Sequence, residues 1–196
     1  MILYLTIIFV GMGIVGLFNA LFGGMGAFDA VLFTVTSTLV MFAIDALVAW
    51  IVHSIPEKKI NPFKKVFLIG KGERKLYESI GVRTWKDIIP ESGKKLAGFD
   101  KRKIAEPNNN EYILKFLRET VYAEVMHFIC IFLSFVPLIF MPYRWTIVLP
   151  VACVNAFLQL LPVIVQRYNR IRLVSLYNFN KRHQERAENE QDKAVC

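Results

Sequence analysis

Apolar residues along this chain are gathered into four long blocks, at about residues 2–22, 28–52, 121–141 and 145–165. Each block is close to the ~20 residues that a helix needs to cross the hydrocarbon core of a bilayer. Only short gaps separate the first block from the second and the third from the fourth, which predicts two helical hairpins. The predicted fold class is therefore all-α: a polytopic membrane protein with four transmembrane helices, forming a single membrane domain over residues 1–196.

Two short amphipathic elements are predicted between the hairpins, where they would lie as interfacial helices. The first runs from Glu73 to Ser79, and Gly81 ends it because glycine readily takes the left-handed conformation found at helix C-termini. The second is Val82–Pro90, which the proline ends. The residues expected on the apolar side of the first helix are Leu76, Tyr77 and Ile80.

Two further segments complete the pattern of elements. Phe63, Phe67 and Leu68 alternate with lysines, which is typical of a segment lying at a membrane interface. Beyond Leu173 we expect the fourth helix to continue as a charged extension to about Arg186, and the last ten residues to be disordered. The first block follows Met1 without a basic segment or a small-x-small cleavage pattern, so we expect a retained membrane anchor.

Positive charge is concentrated in two segments and predicts the orientation in the membrane. Between Glu57 and Arg118 there are 16 Lys/Arg against 8 Asp/Glu, and beyond Gln166 there are 7 against 4. The positive-inside rule then places the central segment, about residues 56–118, in the cytoplasm together with the C-terminal tail, about residues 174–196. Four spans bring the N-terminus to the same side. The predicted location is the cell membrane, with a multi-pass topology.

The net charge of +8 also bears on the partners that the chain can have. The basic clusters flank membrane spans, so anionic lipid headgroups explain them more simply than nucleic acid does. We therefore expect membrane lipids as partners and no nucleic acid. These clusters are Lys58–Lys59, Lys64–Lys65 and Lys101–Lys103. Two of the cysteines, Cys130 and Cys153, lie in apolar blocks and Cys196 ends the tail, so neither a disulfide framework nor a metal site is predicted.

Polar residues within the apolar blocks fall at a similar depth and share helix faces. In the third block they are Thr120, Glu124 and His127, and in the fourth they are Asn155, Gln159 and Gln166. Asp45 of the second block lies eight residues before His53, or ~12 Å at a rise of 1.5 Å per residue. Because an ionisable residue inside a bilayer is costly, such residues are functional candidates by default. The pattern predicts one buried polar chamber.

Glu124 and His127 are the strongest catalytic candidates. They are i, i+3 neighbours on a helix, so the carboxylate is placed to hold the imidazole in one tautomer and raise its basicity. The alternative is a charge cluster near the helix end, which suits Glu119 equally well. A Glu-x-x-His pair also occurs in metal-binding bundles, but only one copy is present and no metal is predicted. Asp45 is as compatible with a structural ion pair as with catalysis.

The run after Pro162 is rich in groups that bind anions. Arg167, Arg170 and Arg172 are interleaved with Gln166 and Asn169, and planar guanidinium groups suit phosphate. Arginines that merely anchor a span at the interface are the alternative explanation. Pro162 itself is expected to kink the helix and free a backbone carbonyl.

A glycine pattern near the N-terminus, Gly11-x-Gly13-x-x-Gly16, matches the dinucleotide-binding fingerprint only superficially. No strand precedes it and no ribose-binding acid follows at the required spacing. Small residues in a membrane helix instead allow close packing against a neighbouring helix. We therefore predict no nucleotide cofactor there.

Several strings of the sequence resemble one known family. They are Glu119–His127, Pro162–Leu173, Gly81–Lys86 and Gly98–Arg102, within a similarity that covers roughly residues 77–186. The family is that of the glycosyl-4,4'-diaponeurosporenoate acyltransferases, small membrane proteins of staphyloxanthin-type carotenoid synthesis. The string Gln-Arg-Tyr-Asn-Arg-x-Arg-Leu is the most specific part. The His-x-x-x-x-Asp of the common glycerolipid acyltransferases is absent, since Phe132 lies five residues after His127 and Lys58 five after His53.

The resemblance implies an acyltransferase that moves a fatty acyl group to a sugar hydroxyl of a lipid-like glycoside. His127 would act as general base with Glu124 orienting it, Asp45 would join the catalytic set, and Asn155 or Asn169 would stabilise an oxyanion. The arginines would hold the phosphates of a thioester donor, either acyl-CoA or acyl carrier protein, and no other cofactor is predicted. The predicted substrate-binding set is Gln159, Gln166, Arg167, Asn169, Arg170, Arg172 and Glu119. The alternatives are a lipid-binding or transport module without catalysis and another lipid-modifying enzyme, such as a methyltransferase.

Overall fold

The computed structural model describes residues 2–89 and 104–195, and within them the chain is helical with no strand. The α-helices, in chain order, are α1 (Ile2–Phe22), α2 (Ala27–His53), α3 (Lys71–Ser79), α4 (Val82–Trp85), α5 (Asn110–Leu133) and α6 (Leu149–Val195). The predicted all-α class is confirmed. The predictions that involve Pro90, Gly98–Arg102, Lys101–Lys103 and Cys196 fall outside the described residues.

Four of these helices, α1, α2, α5 and α6, are long and apolar enough to cross a membrane. Large apolar side chains on α1 and α2 stay exposed, as lipid-facing surfaces require; Phe9 is 66% exposed and Phe28 78%. The third predicted block ends its α-helix early, at Leu133, and a 3-10 turn at Val136–Ile139 follows because Pro137 lacks the amide that a continuing helix needs. The prediction of four membrane helices is confirmed.

The fourth apolar block has an irregular start and a long regular extension. A π-helical turn at Arg144–Val148 leads into α6, after Tyr143 takes a left-handed conformation with φ of 52°. From Leu149 the helix continues through Pro162 to Val195. The expected disorder of the last ten residues is therefore wrong for the described part of the tail. Residues after Arg186 are mostly Ala, Glu, Gln and Lys, which favour helix even when exposed.

The chain folds as two compact units. The span unit contains the described residues within 1–56, 88–90 and 123–163, and the connecting unit contains those within 57–87, 91–122 and 164–196. Helices α5 and α6 each contribute residues to both, so the single membrane domain over residues 1–196 stays a prediction.

The span unit has an apolar core and a buried polar side chain, Asn19, that hydrogen-bonds backbone carbonyls. Its core consists of Met41, Met141, Ile147, Val148, Val151 and Ala152. Asn19 is buried and its Nδ2 donates to the carbonyls of Val15 and Thr146, both at 2.8 Å, which fixes α1 against the π-helical turn. A Cβ at Gly11 would lie 3.8 Å from Val154, so this glycine faces a neighbouring helix, whereas Gly13 has nothing within 4 Å.

The connecting unit contains the N-terminal part of α5 and the C-terminal part of α6. Its core consists of Ile113, Phe116, Leu117 and Leu173, with partly buried residues such as Phe63 and Tyr177 against it. The predicted short helix is present as α3, and Gly81 follows it with φ of 61°. Of the residues expected on its apolar side, Tyr77 is buried, Leu76 is 55% exposed and Ile80 is 45% exposed. Val82 is buried at the start of α4.

Candidate functional site

A polar network in the span unit is built around the carboxylate of Asp45 on α2. Asn155 and Gln159 are one turn apart on α6, so their amides lie on the same helix face. Both donate to the same carboxylate oxygen: Nδ2 of Asn155 lies 3.2 Å from Asp45 Oδ2, and Nε2 of Gln159 lies 2.6 Å from it. The other oxygen, Oδ1, is buried. We call the set Asp45, His127, Cys130, Ser134, Asn155 and Gln159 the Asp45 network.

His127 of α5 is joined to this carboxylate through Gln159. The ring atom Nδ1 of His127 lies 2.5 Å from Oε1 of Gln159. Because the carboxylate only accepts hydrogen bonds, the amide nitrogen of Gln159 must face Asp45, and its oxygen must then accept from Nδ1–H. Neutral His127 is thereby held in the tautomer whose Nε2 carries the basic lone pair. This is the state that a general base needs.

Asn155 supports the carboxylate from a second direction. Its Nδ2 also donates to Ser134 Oγ at 3.0 Å, and that hydroxyl donates to the carbonyl of Cys130 at 2.7 Å. The Cys130 thiol also lies close to the Asp45 carboxylate. Both amide hydrogens of Asn155 are therefore engaged, and the predicted oxyanion role for Asn155 would require one of these bonds to break.

Glu124 lies on α5 within the span unit and is buried. The partner that fixes Nδ1 of His127 is the amide oxygen of Gln159, a residue that the sequence pattern assigned to substrate binding. The predicted role of Glu124 in orienting His127 stays a prediction. Thr120, predicted on the same helix face, belongs to the connecting unit.

In the connecting unit, Arg167 of α6 forms a two-pronged ion pair with Glu73 of α3. Its Nε and Nη2 each donate to one carboxylate oxygen, the second bond being 2.9 Å long, and Tyr77 also donates its hydroxyl to Glu73. The Arg167 hydrogen bonds hold the pKa of Glu73 below its ordinary value, against the opposing effect of burial. Burial, and then the bond to Glu73, raise the pKa of Tyr77. Arg167 is therefore committed to a contact within its own unit.

Arg170, one turn further along α6, is fully buried. Its Nε donates to Thr120 Oγ1 at 3.0 Å, its Nη1 donates to the carbonyl of Phe67 at 3.0 Å, and its guanidinium lies 5.7 Å from the centre of the Phe67 ring. These contacts hold the segment around Phe67 against α5 and α6. A phosphate role for Arg170 stays a prediction, and it would require this cluster to open.

The remaining predicted binding residues either line a cavity or are buried to different degrees. Asn169 and Arg172 line a cavity of about 430 Å³, which we call the basic cavity. Gln166 is buried, and its Oε1 has no hydrogen-bond partner among the described residues. Glu119 of α5 is partly buried.

The predicted polar chamber thus corresponds to residues in two units. Asp45, His127, Asn155 and Gln159 come together within the span unit. The other predicted binding residues belong to the connecting unit; they are Glu119, Gln166, Arg167, Asn169, Arg170 and Arg172. Among the described residues, no group of three His, Cys, Asp or Glu side chains is placed to hold a metal ion.

Sequence reasoning missed two members of the Asp45 network and the partners of the arginines. Cys130 follows His127 at i+3 on α5 and Ser134 follows at i+7, just after the helix ends, so helical periodicity alone would have found them. Glu73 pairs with Arg167 across 94 residues of sequence, for which no local pattern gives a signal.

One family model matches residues 57–178, more than half of the chain, and its description is Glycosyl-4,4'-diaponeurosporenoate acyltransferase. No curated protein and no solved structure matches the chain. The matched range includes His127, Cys130, Ser134, Asn155 and Gln159, but not Asp45 on α2.

Proposed function

The chain belongs to the glycosyl-4,4'-diaponeurosporenoate acyltransferase family, and from this premise we propose that it transfers a fatty acyl group from a cytosolic thioester to a sugar hydroxyl of a glycosylated lipid or carotenoid acceptor. Family membership makes it an acyltransferase and indicates a role in carotenoid biosynthesis. The observation that carries the proposed chemistry is the hydrogen-bonded chain from Asp45 through Gln159 to His127. A purely lipid-binding module has no need of an oriented imidazole.

The proposed reaction begins at Nε2 of His127. This nitrogen takes the proton of the acceptor hydroxyl as the hydroxyl oxygen attacks the thioester carbonyl carbon. The imidazolium that forms is stabilised by the Asp45 carboxylate, with the Gln159 amide transmitting the interaction through two short hydrogen bonds. Asp45 and Gln159 thus act as positioning residues, and His127 as the catalytic residue.

The tetrahedral intermediate then collapses with loss of the thiolate. The imidazolium returns its proton to the leaving sulfur, so one ester and one free thiol form from one thioester and one hydroxyl. An amide or backbone donor must stabilise the oxyanion in between. Asn155 donates both its hydrogens within the Asp45 network, which favours a backbone amide for this role.

The apolar surroundings support a lipid-soluble acceptor. Helices α1, α2, α5 and α6 are long and apolar enough to cross a membrane, and an acceptor carried in the bilayer would reach them laterally. The donor is proposed to approach from the cytoplasm, where the excess of Lys and Arg between Glu57 and Arg118 would place that segment.

Cysteine labelling tests this orientation. In a background lacking Cys153 and Cys196, an Asn109→Cys variant should resist an impermeant maleimide in intact cells and react after lysis. An Ala27→Cys variant, at the first residue of α2, should react in intact cells. The reverse pattern would refute the proposed orientation.

Substitution of His127 tests the chemistry. The purified protein, supplied with a fatty acyl thioester and a glycosylated carotenoid, should form the acyl ester detected by mass spectrometry. His127→Ala should reduce the rate by the ~10²–10⁴-fold typical of general-base loss while the protein stays folded. His183→Ala is the matched control, since His183 is exposed near the end of α6. Unchanged turnover in His127→Ala, or no ester from the unaltered protein, would contradict the proposal.

A further inference from the structure

The basic cavity of the connecting unit has no part in the chemistry described above. Three of the cations that line it are Arg74 from α3, Arg83 from α4, and Lys86 from the 3-10 turn at Lys86–Ile88. The fourth cation, Arg172, comes from α6. Its volume of about 430 Å³ falls within the ~300–1,000 Å³ typical of small-molecule sites.

The charge of this cavity is largely uncompensated. Among the described lining residues the one carboxylate is Glu78, which is paired with Arg74 at 2.9 Å, but both side chains are more than half exposed, so this pair is weak. The Nζ atom of Lys86 lies 3.4 Å from Oδ1 of the neighbouring Asp87. Among the described residues, Arg83 and Arg172 have neither an ion-pair nor a hydrogen-bond partner. A concave surface with excess positive charge concentrates anions.

Arg172 also differs from the other two arginines of its run. Arg167 is paired with Glu73 and Arg170 is fully buried against Thr120 and Phe67, whereas Arg172 is exposed and faces the cavity. Three arginines spaced along one helix therefore have different roles. The one that is accessible to a ligand is Arg172.

The cavity also has an aromatic and aliphatic side. Phe116, Tyr168 and Leu173 belong to its lining, and the Tyr168 ring is held edge-on by Tyr77 at 6.4 Å between ring centres. The amide of Asn169 adds a hydrogen-bonding group. Cations beside an apolar wall and an amide suit a ligand that joins phosphates to a flat, hydrogen-bonding base.

We propose that the basic cavity binds the nucleotide end of coenzyme A, so that the acyl donor is acyl-CoA. This inference rests on the proposed acyl transfer and names its donor. Coenzyme A carries three phosphate groups on an adenosine, which match four cations and an apolar wall in one concavity. The arm of an acyl carrier protein carries a single phosphate and no base, and leaves both features of the cavity unused.

Binding of free coenzyme A tests the inference without turnover. Calorimetry on the full chain in detergent should show saturable binding, and Arg83→Ala or Arg172→Ala should each raise the Kd about ten- to hundredfold, as expected for loss of a charge-assisted hydrogen bond. Lys181→Ala is the matched control, being an exposed cation of α6 outside the cavity, and should bind like the unaltered protein. Removing the 3'-phosphate should weaken binding, and phosphopantetheine alone should bind far more weakly.

Two results would overturn the inference: coenzyme A affinity that neither arginine substitution changes, or acyl transfer from acyl carrier protein by a chain that does not bind coenzyme A. The second result would leave the proposed function intact. The opposite combination of results also distinguishes coenzyme A binding from acyl transfer. Coenzyme A binding that depends on Arg83 and Arg172, in a protein that forms no ester, would support the cavity assignment and refute the acyl transfer.

Discussion

In each unit, a carboxylate among the described residues accepts several hydrogen bonds, and the donors differ in kind. In the span unit, Asp45 accepts from two neutral amides, and the Cys130 thiol lies close to it. In the connecting unit, Glu73 accepts from the Arg167 guanidinium and the Tyr77 hydroxyl. Among the described residues, no Lys or Arg pairs with Asp45.

This difference in partners distinguishes a chemical role from a structural one. A carboxylate beside a guanidinium is already neutralised, and what the pair contributes is a fixed contact between α3 and α6. Asp45 is partly buried and, among the described residues, has no cation beside it; an ionisable residue inside a membrane span is costly to keep without use. We therefore propose that Asp45 serves the chemistry of His127 and that Glu73 stabilises its unit.

The largest predicted effect comes from neutralising Asp45 without changing its shape. Asp45→Asn should lower the acyl-transfer rate by about ten- to hundredfold, the range observed when a supporting carboxylate behind a functional histidine is lost. The thermal midpoint should change little, because an amide can still hydrogen-bond Gln159 and Asn155. Rates per folded molecule decide the question, and a rate equal to that of the unaltered protein would remove Asp45 from the mechanism.

The matching substitution in the connecting unit should have the opposite profile. Glu73→Gln removes the charge that pairs with Arg167, whose side chain is 18% exposed, and should cost about 1–3 kcal/mol of stability. Thermal unfolding in detergent should show a midpoint lower by several degrees, while the rate per folded molecule stays close to normal. A strong loss of rate at unchanged stability would mean that the comparison between the two carboxylates is wrong.

A smaller effect is expected from Cys130. Its thiol is a weak donor beside Asp45, and the two amides remain when it is removed. Cys130→Ala should therefore reduce the rate less than tenfold. A rate as low as that of His127→Ala would assign Cys130 a nucleophilic role that this account does not include.

The smallest predicted effect is the loss of folding stability at acidic pH. Because its folded pKa lies below the ordinary value of 4.5, Glu73 stabilises the folded state fully above pH 4.5, and this contribution is lost as the pH falls through the lowered folded value. The unaltered protein should therefore lose more stability than Glu73→Gln on acidification below pH 4.5. Parallel thermal midpoints for the two proteins across this range would argue against the ion pair.

Much of this fold was predictable because membrane helices follow from composition and length. The four apolar blocks predicted four helices, and the resemblance over residues 77–186 agrees with the family match over residues 57–178. The rise per residue predicted that Asp45 lies near the depth of Gln159, and the two are hydrogen-bonded. The tail was misjudged because its charges suggested disorder, whereas its residue types favour helix.

The sequence pattern did not predict which residues the polar side chains contact. Helical periodicity places a side chain on a face but does not say which distant residue meets it. Arg167 and Arg170 find partners 94 and 103 residues earlier in the chain, so an apparent phosphate-binding run contains two structural arginines. Gln159 was likewise predicted to bind substrate. Its bond to His127 was not predicted, because that bond depends on how α5 and α6 pack.

A double-mutant cycle between His127 and Asp45 tests the central claim most directly. If the two residues act as one unit through Gln159, the rate of His127→Ala combined with Asp45→Asn should equal that of His127→Ala alone, since the carboxylate has no imidazole left to support. Asp45→Asn alone should still lower the rate about ten- to hundredfold. A double variant slower than His127→Ala by that same factor would show two independent effects and contradict the account.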